Sequence, residues 1–440
     1  MKKYTFKGGT HVKEYKDTSD CKIEVMPAPQ IVSIPLSQHI GAMCDAVVKV
    51  GDEVCMGQVI GEAPGKLASP VHSSVSGKVK KIIAVNNAQG NAIKTVVIEN
   101  DFKDTLFSTI KPYGKPIKGL DANEVIDMVY AAGISGMGGA TFPTYAKIKS
   151  AIGKVDTLVI NCAECEPFIT ADHRLMLEYP EKIIGGAEIL LKTFNLPYGY
   201  IAIEDNKKDA VEVLTKTIAD SNVLKVCVCK TKYPQGDERQ IIYALTGKEL
   251  PAGKLPADIG CVVFNAETCA AIYDAYTTGI PLIQRVLTVA GNCITTPKNL
   301  LVRIGTPFSA LIEYCGGASA PIYSLISGGP MMGKACWDID GPVTKGTSAV
   351  LAFTKDFRKR YEQPKSCIHC GLCVRNCPMH LMPNYLAQYS QSRNFDETKN
   401  FDIMSCVECG TCSYNCPAKI PIVQYIRVAK DVLRTKQKKQ

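Results

Sequence analysis

Two runs of cysteines near the C-terminus constrain this chain more than any other feature. Each run has the form C-x2-C-x2-C-x3-C-P, and the runs begin at Cys367 and Cys406. Three thiolates at this spacing reach one [4Fe-4S] cluster, while the fourth ligates the partner cluster. The spacing therefore predicts two clusters. The first would be held by Cys367, Cys370, Cys373 and Cys416, and the second by Cys406, Cys409, Cys412 and Cys377.

Zinc sites and disulfides are the alternatives for these cysteines. Structural zinc sites usually carry paired C-x2-4-C groups rather than this longer run. Disulfide bonds would not require both runs to have the same cysteine spacing. The runs therefore favour a protein that carries electrons one at a time.

Length and composition predict about three domains with sizeable cores. The 440 residues are 46% hydrophobic and 21% charged. Cysteines outside the two runs, such as Cys227 and Cys229, lie in apolar stretches and are expected to be reduced thiols of a cytosolic protein. The N-terminus lacks a signal-peptide pattern, and apolar runs of about 18 residues are absent, so the chain is not expected to span a membrane.

The net charge of +9 is partly concentrated in the last residues, IRVAKDVLRTKQKKQ. A basic tail of this kind can rest on an acidic membrane surface or an acidic partner. A solvated, frayed end is the slightly favoured interpretation. Nucleic-acid binding is not expected, because no aromatic residues are interleaved with the positive charge.

The first region, up to about Gly119, has the pattern of a small all-β module. Short β-rich runs alternate with turns rich in glycine, proline and asparagine. The segment at 50–58 resembles the barrel-sandwich fold of lipoyl and biotinyl domains. The surroundings of Lys66 differ from the hairpin tip that carries the modified lysine in those families. We therefore expect a docking or scaffold module without a covalent prosthetic group.

From Asp121 the pattern changes to helices that alternate with strands. Asp121 and Glu124 form a capping-box pattern that begins a helix. A second helix is expected to begin at Pro143, because proline suits a first helical position. Four strand-like runs then alternate with helices, which predicts a parallel sheet with helices on its faces. The predicted fold class is α/β, with ligands bound beyond the carboxyl ends of the strands.

A glycine-dense loop at 133–143 is a candidate phosphate site. It follows a helix rather than a strand, so it is not the dinucleotide fingerprint. Its glycines would let successive N–H groups converge on an anion, and the helix after it adds partial positive charge. Lys147 would pair with the same phosphate. The alternative is a loop that only packs closely.

Polar residues follow three of the predicted strands, at the same edge of the sheet. Carboxylates and amides clustered there suit the hydroxyl groups of a nucleotide and the edge of a flavin ring. The alternative is a set of helix N-caps. In chain order these residues are Asn161, Glu164, Glu166, Asp237, Glu238, Asn265, Glu267 and Thr268.

These motifs resemble, in the same order, the flavin and NADH motifs of the NADH-oxidising subunit of respiratory complex I and of related hydrogenase and formate dehydrogenase subunits. The β-module before the core and the paired cysteine runs after it resemble the RnfC family. That family comprises the peripheral NADH-handling subunits of the Rnf complexes, which are ion-pumping ferredoxin:NAD oxidoreductases. The segments FKGGTH and IPLSQHIGA are similar to that family as well.

The resemblance implies an NADH-linked oxidoreductase subunit with non-covalent FMN, NAD(H) as substrate and two [4Fe-4S] clusters. It implies no catalytic acid or base. Its partners would be membrane-embedded and iron–sulfur subunits of one complex, with ferredoxin served indirectly, at the cytoplasmic face of the cell membrane. It implies FMN contacts from Gly136, Gly138, Gly139, Lys147, Asn161, Glu164 and Asn265. NADH contacts are implied for Phe142, Glu166 and Glu238.

Four regions are expected: the β barrel-sandwich module at 1–119, the FMN/NADH-binding core at 120–282, a β-grasp module at 283–345 and a helical ferredoxin-like domain at 355–440. Two other functions remain open. One is a cobalamin reductase of similar domain order. The other is an electron-wire scaffold without NADH activity, since Ala163 and Phe264 depart from the complex I pattern.

Overall fold

The computed structural model describes residues 3–65, 67–86, 92–219, 223–357 and 363–439, so Lys66 lies outside the described residues. The N-terminal module contains seven short antiparallel strands. Fully buried Val32, Ile34, Val96 and Ile98 fill its interior from alternating positions of two strands. The strands are β2 (Ile31–Pro35), β3 (Asp45–Ala46), β4 (Glu53–Val54), β5 (Val59–Glu62), β6 (Val71–His72), β7 (Gly77–Asn86) and β8 (Ala92–Asn100). They form one sheet in the order β2-β8-β7-β4 and another in the order β3-β5-β6.

The core is a four-stranded parallel sheet with helices around it, as the sequence predicts. Its strands are β9 (Thr157–Cys162), β10 (Gly199–Glu204), β11 (Leu224–Cys229) and β12 (Cys261–Asn265). Its helices are α1 (Ala122–Ala131), α2 (Thr144–Ala151), α3 (Ala171–Glu178), α4 (Pro180–Phe194), α5 (Lys208–Thr217), α6 (Glu238–Thr246) and α7 (Ala266–Thr278). The strand order is β11-β10-β9-β12, so the chain reverses direction across the sheet between β9 and β12. Parallel sheets bind ligands outside this switch point.

Local signals explain where the first two helices of the core begin. The Asp121 side chain accepts hydrogen bonds from the N–H groups of Asn123 and Glu124, and Glu124 completes the predicted capping box. The second helix begins one residue later than expected. Pro143 is its N-cap rather than its first residue, because the backbone of Pro143 has a ψ of 117° outside the helical range.

A six-stranded mixed sheet follows the core, at the position of the expected β-grasp module. Its strands are β13 (Gln284–Ala290), β14 (Lys298–Arg303), β15 (Ser324–Ser327), β16 (Lys334–Cys336), β17 (Ala349–Phe353) and β1 (Ile23–Val25), beside α8 (Phe308–Tyr314). β1 pairs in parallel with β14, so this part of the N-terminal segment belongs to the six-stranded sheet and not to the N-terminal module. That segment also forms bridges from Tyr4 to Cys229 and from Thr10 to Tyr233. The first 30 residues therefore hold several regions together.

The C-terminal region contains two copies of one turn–helix unit. Its helices are α9 (Leu372–Arg375), α10 (Pro383–Gln391), α11 (Thr411–Tyr414) and α12 (Ile422–Lys439). Positive φ angles recur at positions 39 residues apart, at His369 and Glu408 and again at Gly371 and Gly410. The two cysteine runs thus fold into the same loop. No helix in the described part of the chain has the length and apolar character needed to cross a membrane.

The basic tail is folded over most of its length, so the expectation of a frayed end is wrong for its first part. Lys430 is 4% exposed. Its ammonium donates to the Cys406 carbonyl at 2.8 Å and pairs with Glu408 at 2.6 Å, beside Arg427 on the same carboxylate. These contacts fasten α12 to the second cysteine run.

Candidate functional site

The glycine loop lies over the start of α7, beside the switch point of the sheet. The Met137 N–H donates to the Thr268 hydroxyl at 3.0 Å. A Cβ atom on Gly138 would stand 2.7 Å from the Asn265 amide nitrogen, so a side chain there would displace Asn265. A Cβ atom on Gly139 would meet nothing within 4 Å. The loop therefore packs against α7 on one side and borders open space on the other.

Phe142 lies where the glycine loop closes. The Gly136 N–H donates to the Phe142 carbonyl at 2.9 Å, and the Thr144 N–H donates to the Ile134 carbonyl at 3.0 Å. The Phe142 ring remains 37% exposed. An exposed aromatic face at this point is available to stack against a planar ligand.

The loops that follow two strands, β9 and β11, are joined by one asparagine. Asn161, the last residue but one of β9, donates from its amide to the Gly236 carbonyl at 2.8 Å. Its amide oxygen accepts from the Ala163 N–H at 3.1 Å. A Cβ atom on Gly236 would stand 2.5 Å from the Ala163 carbonyl oxygen, so the close approach of these loops requires glycine. Asn161 thus aligns two predicted motifs of the site.

Lys147 and Glu238, predicted for two different ligands, form an ion pair. Their charged atoms are 2.6 Å apart, and their side chains are 29% and 39% exposed. The Lys147 ammonium also lies 5.5 Å from the centre of the Phe264 ring. The structure therefore places Lys147, the predicted phosphate partner, and Glu238, a predicted NADH contact, next to each other at a partly exposed position.

The other two predicted carboxylates accept hydrogen bonds from the backbone. Glu164 accepts from the Asp172 N–H at 2.8 Å, at the start of α3. Glu166 accepts from the N–H groups of Met331 and Met332 at 3.0 and 2.9 Å. Burial raises the pKa of Glu166 to about 7, although these two N–H groups oppose the rise. Glu166 thus links the flavin-side loop to the six-stranded sheet.

Two charged side chains beneath the site, Arg285 and Asp172, were missed by sequence reasoning, and they contact Glu267 and Asn265, which the sequence placed there. Arg285 on β13 donates to Glu267 at 2.5 Å, and the two side chains are 2% and 6% exposed. Asp172 accepts from the Asn265 amide at 2.7 Å. Burial, and then the charges of Glu164 and Glu267, raise the pKa of Asp172. These residues set the position of Asn265 and the start of α7, and no sequence motif marks Arg285.

Lys16 was also missed, since it lies far from the core in sequence. Its ammonium donates to the carbonyl oxygens of Glu164, Glu166 and Ile169 at 2.9, 2.8 and 2.5 Å. Burial lowers the pKa of Lys16. One cation from the N-terminal segment therefore fixes the whole turn that carries Glu164 and Glu166.

The polar groups around this site fit a flavin nucleotide. The amide of Gln235 and the hydroxyl of Ser135 are fully buried and have no hydrogen-bond partner among the described residues. Buried polar groups without partners are costly, so a bound group that supplies partners would stabilise them. Together with the open side of Gly139 and the cation of Lys147, they provide donors for phosphate and for a polar ring edge.

The four cysteines predicted for the second cluster line one cavity at the heart of the C-terminal region. Pro378, Leu381, Leu386, Val423 and Ile426 complete its walls. Burial raises the pKa of the Cys412 thiol well above its usual range, and the charges of Cys409, Cys406 and Cys377 add to the rise. Four thiols that share a dry cavity are the donor set for a cubane, which accepts their negative charge. Cys377 from the first run joins three thiols of the second run, as the spacing predicts.

The cysteines predicted for the first cluster lie nearer the surface. Cys367 and Cys370 are exposed, Cys373 is half-buried and Cys416 is buried. The Lys365 N–H donates to the Ala418 carbonyl at 2.9 Å, which brings the start of the first run beside Cys416. In the described residues, no three His, Cys, Asp or Glu side chains converge as ligands of a single metal ion. A cubane places each thiolate on a different iron, so its ligands stand farther apart.

The second cysteine run is packed directly against the loops of the flavin site. The Tyr233 hydroxyl donates to the Cys409 carbonyl at 2.7 Å. The Gln240 amide donates to the Pro378 carbonyl at 3.3 Å. A Cβ atom on Gly410 would stand 3.1 Å from the carbonyl oxygen of Met331, whose N–H binds Glu166. Within residues 233–240, the two ends therefore contact the second cluster site, while Gly236 and Glu238 between them contact Asn161 and Lys147 of the flavin site.

Four family models match the chain in the predicted order. They are the RnfC barrel sandwich hybrid domain at 4–103, the Nuo51 FMN-binding domain at 129–274, the SLBB domain at 286–335 and the 4Fe-4S dicluster domain at 366–420. The predicted fold class and domain order are confirmed. The same matches confirm the predicted FMN and [4Fe-4S] cofactors.

Several proteins are similar to the chain over most of its length. One is a component of the Na(+)-translocating ferredoxin:NAD(+) oxidoreductase complex of Acetobacterium woodii, which is 47% identical over 100% of this chain and 99% of its own length. The corresponding component of the proton-translocating complex of Clostridium ljungdahlii is 45% identical over 97% of this chain and 93% of its own length. A crystal structure of an NAD+-reducing [NiFe]-hydrogenase in the H2-reduced state is 17% identical, with a TM-score of 0.49 over 72% of this chain and 61% of that chain.

Proposed function

This chain belongs to the RnfC family, whose members are components of the ion-translocating ferredoxin:NAD(+) oxidoreductase complexes, and from that membership we propose a role at the NAD(H) end of such a complex. It exchanges hydride between NAD(H) and FMN and passes single electrons through two [4Fe-4S] clusters. It sits at the cytoplasmic face of the membrane and serves ferredoxin through membrane-embedded and iron–sulfur subunits. The observation that carries the proposal is the direct contact between the flavin-site loops and the second cysteine run.

FMN, when bound, supplies the conversion between a two-electron hydride and single electrons. The residues of this chain hold and orient the reactants. We assign the phosphate to Lys147 and the glycine loop, the ring edge to Asn161 and Asn265, and the stacking face for NADH to Phe142. The support is their arrangement around the switch point of the sheet. Glu164, Glu166 and Lys16 together order the backbone turn that carries the two glutamates. We assign Glu164 and Glu166 the role of holding this turn in position.

We place the second cluster, on Cys377, Cys406, Cys409 and Cys412, next to the flavin. Tyr233 and Gln240 support this order because they join the flavin-site loop to Cys409 and Pro378. The first cluster is then the outer one.

The test is a visible spectrum of the anaerobically purified protein before and after NADH. Non-covalent FMN and two clusters should be present, and NADH should bleach both chromophores. A protein that holds clusters and FMN but is not bleached by NADH would instead be an electron-wire scaffold. Efficient reduction of cob(II)alamin by the NADH-reduced protein would favour the cobalamin reductase.

Replacing Lys147 with alanine should weaken FMN binding by about 1.5–3 kcal/mol, because a charge-assisted hydrogen bond to phosphate is lost. The measurement is the dissociation constant of FMN for flavin-depleted protein. Lys149→Ala is the matched control, since Lys149 is exposed on the same helix and two residues away. Glu238→Gln, which frees Lys147 from its ion pair, should keep or strengthen FMN binding. Equal affinity in Lys147→Ala and wild type would mean that the glycine loop only packs.

Replacing Glu166 with glutamine should slow reduction by NADH about 10- to 100-fold while FMN stays bound. Glutamine has one acceptor oxygen, so it cannot hold both the Met331 and Met332 N–H groups as the carboxylate does. The pKa of about 7 adds a pH signature. The carboxylate gains charge as the pH rises through 7, so the wild-type rate should rise there, and the variant should lack this step. Flavin content is the internal control, and an unchanged rate with an unchanged pH profile would contradict the role.

A further inference from the structure

The two cluster sites differ in their access to solvent. Cys377, Cys409 and Cys412 of the second site are 8%, 7% and 8% exposed, and Cys406 is half-buried. Cys367 and Cys370 of the first site are exposed, and Ile368 between them is 65% exposed. Two ligands of the first site are therefore accessible at the surface, and the side chain exposed between them, Ile368, is apolar.

The second site is also covered by the rest of the chain. Tyr233 and Gln240 bind its backbone from the core. The N-terminal segment covers it from another direction, since a Cβ atom on Gly8 would stand 2.6 Å from the Cys377 carbonyl oxygen. In the described part of the chain these contacts cover the second site, whereas Cys367 and Cys370 of the first site remain exposed to an external electron carrier.

Unpaired positive charge surrounds the first site. Lys365 lies two residues before Cys367, Arg375 lies two residues after Cys373, and the Lys419 N–H donates to the Cys416 carbonyl at 3.2 Å. All three side chains are exposed. In the part of the chain that the structure describes, none of them forms an ion pair. Neither 363–395 nor 409–430, the segments that hold the ligands of the first site, contains an aspartate or glutamate.

The second site differs in charge as well. The cations nearest to it on α12, Arg427 and Lys430, are both paired with Glu408. Their charge is thus neutralised within the chain. By contrast, the exposed side chains of Lys365, Arg375 and Lys419, which are close in the chain to ligands of the first site, form no ion pair in the described part of the chain.

We propose that this outer face, defined by Lys365, Ile368, Arg375 and Lys419, is the docking surface for an iron–sulfur protein with an acidic face. The proposal rests on the proposed function, since it assumes that the first cluster is the outer member of the relay. In the exchange, one electron leaves a reduced cluster and reduces an oxidised one, and no covalent bond forms or breaks. Opposite charges steer such a partner into place, and Ile368 forms an apolar centre.

A small acidic ferredoxin with two [4Fe-4S] clusters serves as the probe. Its dissociation constant for the cluster-loaded protein is measured under anaerobic conditions at ionic strengths between about 50 and 500 mM. The triple variant K365E/R375E/K419E should weaken binding at low ionic strength by at least about tenfold, from three lost charge contacts. It should also lose the salt dependence of the wild type. The control K154E/K216E/K225E, with the same charge change at exposed lysines of the core, should stay within about twofold.

Electron paramagnetic resonance and the midpoint potentials of both clusters complete the experiment. The competing role for these cations is to balance the charge of the cluster itself. In that case the triple variant would shift the midpoint potential of the first cluster while binding the probe as the wild type does, and the proposal would be overturned. Wild-type protein that does not bind the probe at low ionic strength would overturn it too. Failure of NADH to bleach the wild type would contradict the proposed function and leave this binding result standing.

Discussion

Cys377→Ala should remove the [4Fe-4S] cluster held by Cys406, Cys409 and Cys412 and leave the cluster of its own run in place. The reason is geometric. Cys377 lines the same cavity as the three cysteines of the other run, and its thiol is buried there. Iron content should fall from about eight to about four atoms per chain, and one of two cluster signals should disappear from the paramagnetic resonance spectrum.

Cys416→Ala is the mirror experiment. It should remove the cluster of Cys367, Cys370 and Cys373 and keep the cluster next to the flavin. The two variants should then differ after addition of NADH. Protein with Cys416→Ala should still reduce its remaining cluster through the flavin, whereas Cys377→Ala should interrupt the relay at its first step. Stoichiometric zinc in place of iron in the wild type would end the redox interpretation.

Arg285→Met should destabilise the protein by about 3–5 kcal/mol, because it leaves the buried carboxylate of Glu267 without a partner. Both side chains are inside the protein, so water cannot replace the lost ion pair. Burial already raises the pKa of Glu267, and Arg285 opposes that rise. The measurement is the free energy of unfolding of the flavin domain in urea, followed by circular dichroism.

The double variant Glu267→Gln with Arg285→Met tests this explanation. A glutamine at 267 keeps an oxygen for the Val286 N–H, which Glu267 holds at 2.6 Å, and carries no charge to bury. The double variant should therefore recover much of the loss. If the loss of stability in the double variant equals the sum of the losses in the two single variants, the two side chains do not interact. Arg285 also donates to the Lys345 carbonyl at 2.6 Å, so recovery should be incomplete.

Signals within short stretches of sequence predicted most of the secondary structure of the core. The four strands, the capping box of Asp121 and Glu124, and the repeat of the cysteine runs all depend on neighbours in the chain. The helix start at Pro143 was wrong by one residue, because proline is favoured at the first helical position, but the ψ of 117° at Pro143 makes it the N-cap. Interactions between distant segments of the chain do not produce a local sequence pattern of this kind.

In the candidate site too, the sequence predicted which residues are involved, whereas the contacts between distant segments became visible only in the folded chain. The sequence placed Lys147 beside the FMN phosphate and Glu238 beside NADH, but only the folded chain pairs them with each other. It placed Glu166 beside NADH, and the folded chain engages its carboxylate with the backbone of residues 331 and 332. Lys16 orders the same turn from about 150 residues away in the chain, and no motif marks it.

By itself, the sequence determined the cofactor type, the order of the regions and the parallel sheet of the core. These properties follow from spacing and periodicity, which are set by chain geometry over a few residues. Only the tertiary structure decided which cysteine run packs against the loops of the core and which one has exposed cysteines. The two cysteine runs have the same spacing and fold into the same loop. They differ only in what packs against them: Tyr233 covers the second run, and no such contact covers Cys367 and Cys370 in the described chain.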